Sequence, residues 1–574
     1  MVENIHGNQI QITFKGNNNL FYKSMNKLKF KILIVALFLC NVGISQITDR
    51  ERPEEWDQLI NGARFMDRFL PMKGKILSSD TWGVKGVVPR FIDNGIEDRI
   101  WSYWGGNIKK DKDGKYRLFV CGWLESSPKG HAEWPDSYVF NAVSDNLTGP
   151  FIPRNIIGKG HNPEVYQLKD GRFVLYVIDG RYVTDDINGN WEYGKFDFNA
   201  RDRDIIEGLS NLSFAQREDG SFVMVCRGGG IWISRDGLSE YGQLTDQRVY
   251  PPVEGRFEDP VIWRDHIQYH MIVNDWLGRI AFYLRSKNGV EWVVDPGEAY
   301  IPGIAVHADG RVEDWFKLER IKMYQDEYGR AIQANFAVID TLKPLDKPFD
   351  KHSSKNIGIP LNPGLLLTIL DEKPISSTTK TIRVKIQAED GFNPHTDIDL
   401  HSLRFGASSE VNYGRGCEVL NAENDGSDLI VTFNGKGNGI TKNEFAPKLI
   451  GKYKNGKMLY GYARLPYVSY IESILSARAP VFVESEKGLS CHVEVQNFGQ
   501  VSSSKASITI ECKKEGKLIK ILSGTVPALE PYEKVMLQIP CKNVFGKGEE
   551  YNIAVTVSSG KKVLSTFKLK QTIF

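Results

Sequence analysis

The sequence EDPV at residues 258–261 decides the fold, because four counterparts of it recur along the chain. Each copy leads into a few apolar residues, a turn with Asp and Gly, and an aromatic-rich strand. A recurrence of roughly 50 residues, with about four short strands in each period, is typical of a β-propeller. We therefore predict an all-β chain whose first domain is a five-bladed β-propeller. The other copies are GGNI at 105–108, HNPE at 161–164, SNLS at 210–213 and LERI at 318–321.

The composition agrees with a packed β protein and excludes one class of partner. The chain has 574 residues, of which 41% are apolar and 11% aromatic, and its net charge is only +2. Such a charge argues against nucleic-acid binding. After residue 60 the apolar runs are short and are interrupted by Gly, Asp and Asn, without the period of a helix. The sequence thus predicts strands joined by turns.

The repeat stops after Leu370, which divides the chain into three folded parts. We assign residues 46–375 to the propeller, and we expect this domain to carry the active site. Residues 376–467 are predicted to form a β-sandwich and residues 468–574 an Ig-like β-sandwich, because both alternate apolar and polar positions in short strands. We expect both domains to be accessory, and we expect the Lys-rich last domain to be a spacer or structural cap rather than a sugar binder.

Residues 25–45 have the features of a secretory signal peptide. Lys27, Lys29 and Lys31 form a basic region, residues 32–42 an apolar region, and GIS at 43–45 offers small residues for cleavage. The apolar run is too short to span a bilayer. We therefore expect a periplasmic or secreted protein without a membrane span, and we take residues 1–24 as an upstream extension preceding the true start.

The polar residues at the strand entries are the candidate site. In a propeller, equivalent positions of every blade surround one funnel, so residues far apart in sequence meet there. Two carboxylate positions, an imidazole and a guanidinium in one cleft suit the recognition of an anionic or polyhydroxylated ligand and the transfer of protons. The residues at these entries are Gly106 and Asn107, His161 and Asn162, Ser210 and Asn211, Glu258 and Asp259, and Glu319 and Arg320.

Several of these motifs resemble the five-bladed glycoside hydrolases of families 43 and 117. The resemblance covers about residues 104–340 and implies an exo-acting or debranching sugar enzyme with inverting chemistry, which uses carboxylates from different blades. In family 117 a histidine is thought to supply the acid. The motifs are the turns SDNLTGPF (144–151) and SKNGVEW (286–292), the strand entries HNPEVY (161–166) and EDPVIW (258–263), and the segment at 318–338.

This resemblance assigns only part of a catalytic set. Asp259 matches the fourth-blade aspartate of these enzymes, and Glu319 matches an acidic residue at the entry of the fifth blade. His307, in VHADGR, lies where a family 117 acid would be. The first-blade aspartate that serves as base is replaced by GGN at 105–107, and Asp98 in IEDRIW is the candidate substitute. We therefore count Asp259, Glu319, His307, His161 and Asp98 as candidate catalytic residues.

Three functions stay open at this point. An inverting hydrolase needs an acid and a base with carboxyl groups about 6.5–9.5 Å apart. A lyase or dehydratase acting by β-elimination needs instead a cation or amide to neutralise a uronate, and a His, Tyr or Lys base. The third is a glycan-binding propeller without catalysis. We rank hydrolysis first, on charged oligosaccharides of algal or plant polysaccharides; ulvan is one candidate substrate for elimination.

The remaining candidates are ligand-binding residues. Arg227 precedes three glycines and suits a sulfate or carboxylate group, while Trp104 and Trp276 suit either sugar stacking or blade packing. Each candidate also has a structural alternative: Asp259 as a turn cap, and Glu319 with Arg320 as an internal ion pair. No cofactor is predicted, and a divalent ion in the channel has no ligand pattern in the sequence. The full set of predicted binding residues is Asn107, Asn162, Asn211, Arg227, Glu258, Arg320, Trp104 and Trp276.

Overall fold

The computed structural model describes residues 49–79, 84, 86–486, 488–541, 545–546 and 548–573. The upstream extension and the signal peptide predicted for residues 1–45 lie outside this part of the chain. Strands are by far the most frequent elements in the described residues, and the helices are few and short, so the predicted all-β class is confirmed. None of the helices in the described residues is long and apolar enough to cross a membrane.

An entry segment precedes the main sheets, and its Trp56 and Phe65 are buried in hydrophobic clusters with residues of those sheets. It contains 3₁₀ helices at Glu54–Gln58 and Phe65–Arg68 and a small sheet of β1 (Leu77–Ser78) and β2 (Arg90–Phe91). Backbone bridges join Phe69 to Leu361 and Met72 to His307. The segment thereby ties together the chain on either side of the last propeller strands.

Five antiparallel sheets follow, here called sheets I to V, with two further 3₁₀ helices at Gly130–Asp136 and Lys343–Leu345. Sheet I comprises β3 (Trp101–Lys110), β4 (Tyr116–Leu124), β5 (Tyr138–Ser144) and β6 (Ile152–Lys159). Sheet II comprises β7 (Glu164–Gln167), β8 (Phe173–Val177), β9 (Gly180–Thr184) and β10 (Glu192–Lys195). Sheet III comprises β12 (Ser213–Gln216), β13 (Phe222–Val225), β14 (Ile231–Ser234) and β15 (Tyr241–Gln243), with β11 (Phe198–Asn199) parallel to β15. Sheet IV comprises β16 (Phe257–Arg264), β17 (Tyr269–Asp275), β18 (Ile280–Ser286) and β19 (Val293–Tyr300), and sheet V β20 (Lys317–Gln325), β21 (Ala331–Ile339) and β22 (Ser354–Pro360).

The first strands of these sheets lie next to one another in a ring. Strand β3 contacts β7 and β20, and β16 contacts β12 and β20. The hydroxyl of Tyr166 on β7 donates a hydrogen bond to the carbonyl of Phe214 on β12. This cyclic neighbourhood is the arrangement that a propeller needs to bring equivalent strand entries to one centre.

One backbone feature marks the equivalent position at every strand entry. The five residues there all have left-handed backbone, a region that Gly, Asn and Asp enter most readily. In sheets I, IV and V the strand pairing shifts register at the same place, as in a β-bulge. Because the extra residue bends the strand, it directs neighbouring side chains to the ring centre. The φ angles are 33° for Gly105, 53° for Asn162, 50° for Asn211, 53° for Asp259 and 50° for Arg320.

This bulge corrects the predicted alignment of the first repeat. The pair equivalent to His161 and Asn162 is Trp104 and Gly105, rather than Gly106 and Asn107. Asn107 lies beyond the bulge, at the position that Glu164 occupies in sheet II. The error arises because two consecutive glycines leave the position of the bulge undetermined in the sequence.

The domain after the propeller folds around a strand shared between two sheets. Strand β23 pairs with β29 through Leu365 and Leu366 and with β24 through residues 367–369. The sheet order is β25-β28-β29-β23-β24-β27-β26. The elements are β23 (Leu365–Ile369), β24 (Thr381–Ile386), α1 (Pro394–Asp397), β25 (Ile398–Gly406), α2 (Ser408–Val411), β26 (Val419–Asp425), β27 (Asp428–Asn434), β28 (Lys448–Tyr453) and β29 (Met458–Tyr462).

The last domain is a β-sandwich of two four-stranded sheets. In one sheet β32 pairs with β30, β31 and β35, and the other has the order β34-β33-β36-β37. Buried side chains from both sheets, among them Cys491, Ile508 and Val555, form one core. The strands are β30 (Leu475–Ala477), β31 (Val481–Ser485), β32 (Gly488–Asn497), β33 (Ala506–Lys514), β34 (Lys517–Val526), β35 (Lys534–Cys541), β36 (Glu549–Ser559) and β37 (Lys562–Ile573).

Candidate functional site

Asp259 and Arg320 form an ion pair between the bulges of sheets IV and V. Arg320 Nη1 lies 2.6 Å from Asp259 Oδ1, and the Arg320 backbone N–H donates to Asp259 Oδ2 at 3.3 Å. Burial raises the pKa of Asp259 to about 7; Arg320 opposes this shift, whereas the charges of Glu258 and Glu319 add to it. The Asp259 carboxyl therefore exchanges its proton near neutral pH.

Glu319, which precedes Arg320, is held as an ionised carboxylate. Its Oε2 lies 2.5 Å from Lys343 Nζ and its Oε1 3.3 Å from Lys317 Nζ. Burial alone would raise the pKa of Glu319, but the two ammonium groups outweigh it and lower the pKa to about 2. One end of the ring thus holds two carboxyl groups whose pKa values are driven apart, as the acid and base of an enzyme require.

Glu258 is the carboxylate of this group that faces solvent. Asn211 Nδ2 donates to its Oε1 at 3.1 Å, and Arg227 Nη1 lies 3.5 Å from the same oxygen. The Glu258 side chain is 17% exposed and that of Arg227 33%. Arg227 also lies 3.8 Å from Glu207, so two carboxylates flank this partly exposed guanidinium.

The two predicted tryptophans are each covered by one of the lysines that bind Glu319. The ammonium of Lys317 lies 4.6 Å from the ring centre of Trp276, and that of Lys343 lies 5.0 Å from the ring centre of Trp104. Trp104 is buried, as blade packing requires, whereas Trp276 is half-buried. Of the two, Trp276 has the accessible surface that contact with a sugar needs.

His161 and Asn162 complete the ring on the side of sheet II. Ser137 Oγ lies 3.1 Å and Cys121 Sγ 3.4 Å from His161 Nδ1. Burial, together with the charge of Arg320, lowers the pKa of His161 well below its ordinary value, so the imidazole is neutral at pH 7. Both polar side-chain atoms of Asn162 are buried and have no hydrogen-bond partner among the described residues.

The first repeat is crowded at the bulge position where a side chain would begin. A Cβ atom placed on Gly105 would lie 3.1 Å from Oδ1 of Asn162 and 3.2 Å from Cβ of Arg320. These two side chains therefore occupy the space in which an aspartate of sheet I would stand. The absence of an acid from this repeat, noted in the sequence, is part of the packing of the ring.

Two predicted site residues form hydrogen bonds that support the fold. Asn107 donates from Nδ2 to the Val165 carbonyl at 3.2 Å and accepts from the Val165 N–H at 2.9 Å, which joins sheets I and II. Asp98 accepts from the backbone N–H groups of Ile100 and Trp101 at 2.7 and 2.9 Å. No contact among the described residues brings Asp98 to Asp259 or Glu319.

His307 also lies apart from the ring group. Its Nε2 is 3.3 Å from Glu313 Oε1, and its ring centre is 4.0 Å from that of Phe91. These partners belong to the connection between sheets IV and V and to the entry segment. Within the described part of the chain, no contact joins His307 to Asp259.

Sequence reasoning missed three cationic or titratable residues of the site. Lys317 and Lys343 bind Glu319, and His131 packs edge-on against Trp104 with 4.6 Å between ring centres. Burial, with the charge of Lys343, lowers the pKa of His131 to about 3. Lys343 and His131 lie in 3₁₀ helices outside the repeated motif, so no periodicity in the sequence points to them.

A second buried pair lies beyond the bulges. Lys322 of sheet V forms an ion pair with Glu164 of sheet II, and the Tyr166 hydroxyl oxygen lies 2.7 Å from Glu164 Oε1. These groups are buried and connect sheets on opposite sides of sheet I. We assign them to closure of the ring. Among the described residues, no group of three or more His, Cys, Asp or Glu side chains could hold a metal ion.

Comparison with known proteins gives weak similarities only. No family model matches the chain, and no curated protein matches it. A family 117 glycoside hydrolase from the marine bacterium Zobellia galactanivorans is 12% identical, over 51% of this chain and 89% of its own, with a TM-score of 0.34. An α-L-arabinofuranosidase from Lactobacillus brevis is 12% identical, over 46% and 91%, with a TM-score of 0.32. A structure described as a glycoside hydrolase is 9% identical, over 83% and 99%, with a TM-score of 0.33. At these scores the similarities establish no shared activity.

Proposed function

We propose that this chain is an exported carbohydrate-active enzyme that hydrolyses anionic oligosaccharides. The observation that carries the proposal is the buried carboxyl of Asp259, whose pKa is raised to about 7 beside carboxylates of the same ring. A general acid works best when its pKa lies near the working pH. The export part of the proposal rests on the features of residues 25–45 in the sequence.

Asp259 is the proton donor in this scheme. At neutral pH a large fraction of its carboxyl carries a proton, which it gives to the glycosidic oxygen as the bond to the sugar carbon breaks. Glu258 faces solvent and has one oxygen bound by Asn211. We propose that Glu258 removes a proton from the attacking water. Because that water attacks the sugar carbon from the side opposite the leaving group, the configuration of this carbon is inverted.

Glu319 is a positioning residue in this scheme. Both of its oxygens face lysines, which hold it as a carboxylate. Its fixed negative charge helps to raise the pKa of Asp259. Loss of Glu319 would therefore lower that pKa and reduce the fraction of Asp259 that carries a proton.

Two partly exposed cations at the edge of the ring, each already beside a carboxylate of the protein, are the basis for proposing an anionic substrate. The side chains of Arg227 and Lys343 are 33% and 30% exposed, and both are cationic. A guanidinium binds a carboxylate or sulfate through paired hydrogen bonds. We propose that Arg227 binds such a group on the sugar next to the bond that is cleaved.

The proposal is tested with uronate-containing oligosaccharides and their neutral counterparts. We expect new reducing ends from the charged substrates, without the ultraviolet absorbance of a conjugated double bond. Asp259→Asn should abolish turnover while the protein stays folded. Asp314→Asn, an exposed aspartate on the connection into sheet V, is the matched control and should keep full activity. Turnover by Asp259→Asn at the wild-type rate would refute the assignment.

Elimination is the second candidate, and the packing around Gly105 favours it. The ring has no carboxylate in its first repeat, and its neutral histidine, His161, could remove a proton next to a uronate whose charge Arg320 offsets. That step breaks a C–H and a C–O bond and forms a C=C bond, with the leaving oxygen taking a proton from Asp259. Absorbance growth in the assay above would select this candidate over hydrolysis.

A further inference from the structure

A small depression opens next to the carboxyl groups of the ring, between sheets IV and V. Asn274, Trp276, Tyr300, Phe316 and Glu319 are among the residues that line it, and we call it the Tyr300 pocket. Its free space amounts to 250 Å³, including the open side. Sites for drug-sized ligands occupy about 300–1,000 Å³. The Tyr300 pocket therefore suits one substituent of a sugar rather than an oligosaccharide.

The strand register of sheet IV brings Tyr300 to the level of the ring. Successive pairs join Glu258 to Asn274, Asn274 to Ala281, and Ala281 to Tyr300. Tyr300 therefore lies in the same row of the sheet as Glu258. Its ring packs edge-on against Phe336 of sheet V, with 5.1 Å between the ring centres. This contact holds the phenol between the two sheets.

Two buried donors of this pocket have no hydrogen-bond partner within the described part of the chain. They are the hydroxyl of Tyr300 and the indole N–H of Trp276. A buried polar group without a hydrogen bond costs free energy, and most such groups in proteins are satisfied by protein atoms or ordered water. A ligand atom that accepts hydrogen bonds would satisfy both donors at once.

The charges nearest the phenol disfavour an anionic ligand group. Burial raises the pKa of Tyr300, and the charges of Asp259 and Glu319 raise it further, so the phenol keeps its proton. An anion beside the phenol would be repelled by the same two carboxyl groups. An uncharged group meets no such repulsion.

The two cations that line the pocket are balanced by carboxylates. Lys317 Nζ lies 3.3 Å from Glu319 Oε1, and Arg279 Nε lies 3.0 Å from Asp49 Oδ1. The pocket and its immediate partners thus carry no excess of positive charge that would select an anion. The groups that remain to recognise a ligand are the two uncharged donors.

We propose that the Tyr300 pocket binds an uncharged hydroxymethyl group of the sugar held at the ring. This inference rests on the proposed function, because it takes the ligand to be a sugar. The oxygen of a hydroxyl group accepts hydrogen bonds from an N–H or an O–H, and its hydrogen can be donated to the phenol oxygen. The acidic group that we assign to Arg227 then belongs to the neighbouring sugar.

Binding of matched methyl glycosides to the full chain tests the pocket. Three sets have the ring configuration of glucose, galactose or mannose, and the members of a set differ only in a hydroxymethyl, methyl or carboxylate group at the sixth carbon. In ligand-observed NMR titrations, the hydroxymethyl member of at least one set should bind about fivefold more tightly than its two counterparts, the effect expected for one hydrogen bond. No preference in any set, or no binding at all, would overturn the proposal.

Tyr300→Phe removes the hydroxyl and keeps the ring. It should abolish the preference for the hydroxymethyl member without lowering the melting temperature, because a buried hydroxyl without a partner adds no stability. The matched control is Tyr269→Phe, since the Tyr269 hydroxyl is also buried and unpartnered among the described residues but lies outside the pocket. A preference that persists in Tyr300→Phe, or is lost equally in Tyr269→Phe, would contradict the assignment.

The same titrations on Asp259→Asn separate the pocket from the reaction. This variant should keep the preference, because its pocket is intact. Preferential binding without turnover of any oligosaccharide would leave the pocket in place and refute the enzymatic proposal. Turnover of oligosaccharides without the preference would refute the pocket and leave the enzymatic proposal in place.

Discussion

Arg320 Nη1 lies 2.6 Å from Asp259 Oδ1, although 61 positions separate the two residues. Both occupy the left-handed position of their strand entries, with φ angles of 50° and 53°. The pair is therefore formed by two equivalent bulges in neighbouring sheets. It places a cation against the carboxyl that burial alone would hold strongly protonated.

Replacing Arg320 by methionine should move the pH profile of the enzyme. Burial raises the pKa of Asp259 to about 7 and Arg320 opposes that rise, so its removal should raise the pKa further. If Asp259 acts as an acid, activity is lost as Asp259 deprotonates. The alkaline limb of kcat/KM should accordingly shift to higher pH in Arg320→Met.

Arg154→Met is the control for this experiment, because Arg154 is exposed on β6 of sheet I. Its profile should coincide with that of the wild type. An alkaline limb that stays in place in Arg320→Met, or moves to lower pH, would contradict the assignment of Asp259 as the acid.

Glu319→Gln should destabilise the fold at neutral pH. The pKa of Glu319 falls to about 2 from an ordinary value of 4.5, despite burial, because Lys343 and Lys317 bind it. A carboxylate with a lowered pKa contributes stability above its unfolded pKa and loses it as the pH falls through the folded pKa. Removal of one partner from a buried ion pair typically costs about 3 kcal/mol or more.

Urea unfolding at several pH values checks this expectation. The difference in free energy of unfolding between wild type and Glu319→Gln should be largest near pH 7 and should shrink as the pH falls from about 4.5 toward 2. The control Glu291→Gln, at an exposed position before β19, should show no such pH dependence. A constant difference at all pH values would show that packing, and not charge, accounts for the loss.

Gly105→Ala should destabilise the protein more than Gly114→Ala, in which the added methyl group strains the backbone but meets no neighbouring atom. Gly105 has a φ of 33°, and a Cβ atom there would meet Asn162 and Arg320 at 3.1 and 3.2 Å. Gly114 has a φ of 81° and nothing within 4 Å of an added Cβ. Gly114→Ala therefore isolates the cost of the backbone, which is about 1–3 kcal/mol for a non-glycine residue in a sparsely populated region.

Thermal unfolding distinguishes the two glycine variants. Gly105→Ala should have the lower melting temperature, and the excess over Gly114→Ala measures the crowding at the ring centre. Equal melting temperatures would mean that the side chains of Asn162 and Arg320 move aside without loss of stability. In that case an aspartate could be introduced at the first strand entry after all.

The sequence predicts the left-handed strand entries better than it predicts the chemistry around them. Asn162, Asn211 and Asp259 are residue types that tolerate positive φ, so their recurrence before apolar strands marks the left-handed strand entry. Arg320 has no such preference, and the double glycine at 105–106 hides the register of the first repeat. The all-β class and the β-sandwich after the propeller follow from alternating apolar residues, which act through burial and need no long-range information.

The partners of the carboxylates depend on the tertiary fold and were not predictable in this way. Lys343 reaches Glu319 from a 3₁₀ helix beyond β21, and only the path of the chain around sheet V brings it there. His307 shows the reverse case: its loop motif resembles a catalytic one, but the fold places the side chain against Phe91 and Glu313. A similar motif indicates which residue is present, but it does not determine where the side chain of that residue points in the fold.

His161→Gln should separate hydrolysis from elimination. The imidazole is neutral, because burial lowers its pKa well below the ordinary value, and Nδ1 lies 3.1 Å from Ser137 Oγ. In the hydrolytic scheme His161 transfers no proton, so the rate should fall by less than about tenfold. In elimination it is the base, and its loss should lower the rate by about 10²–10⁴. We expect the smaller effect, with an unchanged pH dependence of kcat/KM. A large fall in kcat without a change in the melting temperature would instead show that His161 removes the proton. The hydrolytic scheme would then be replaced by elimination.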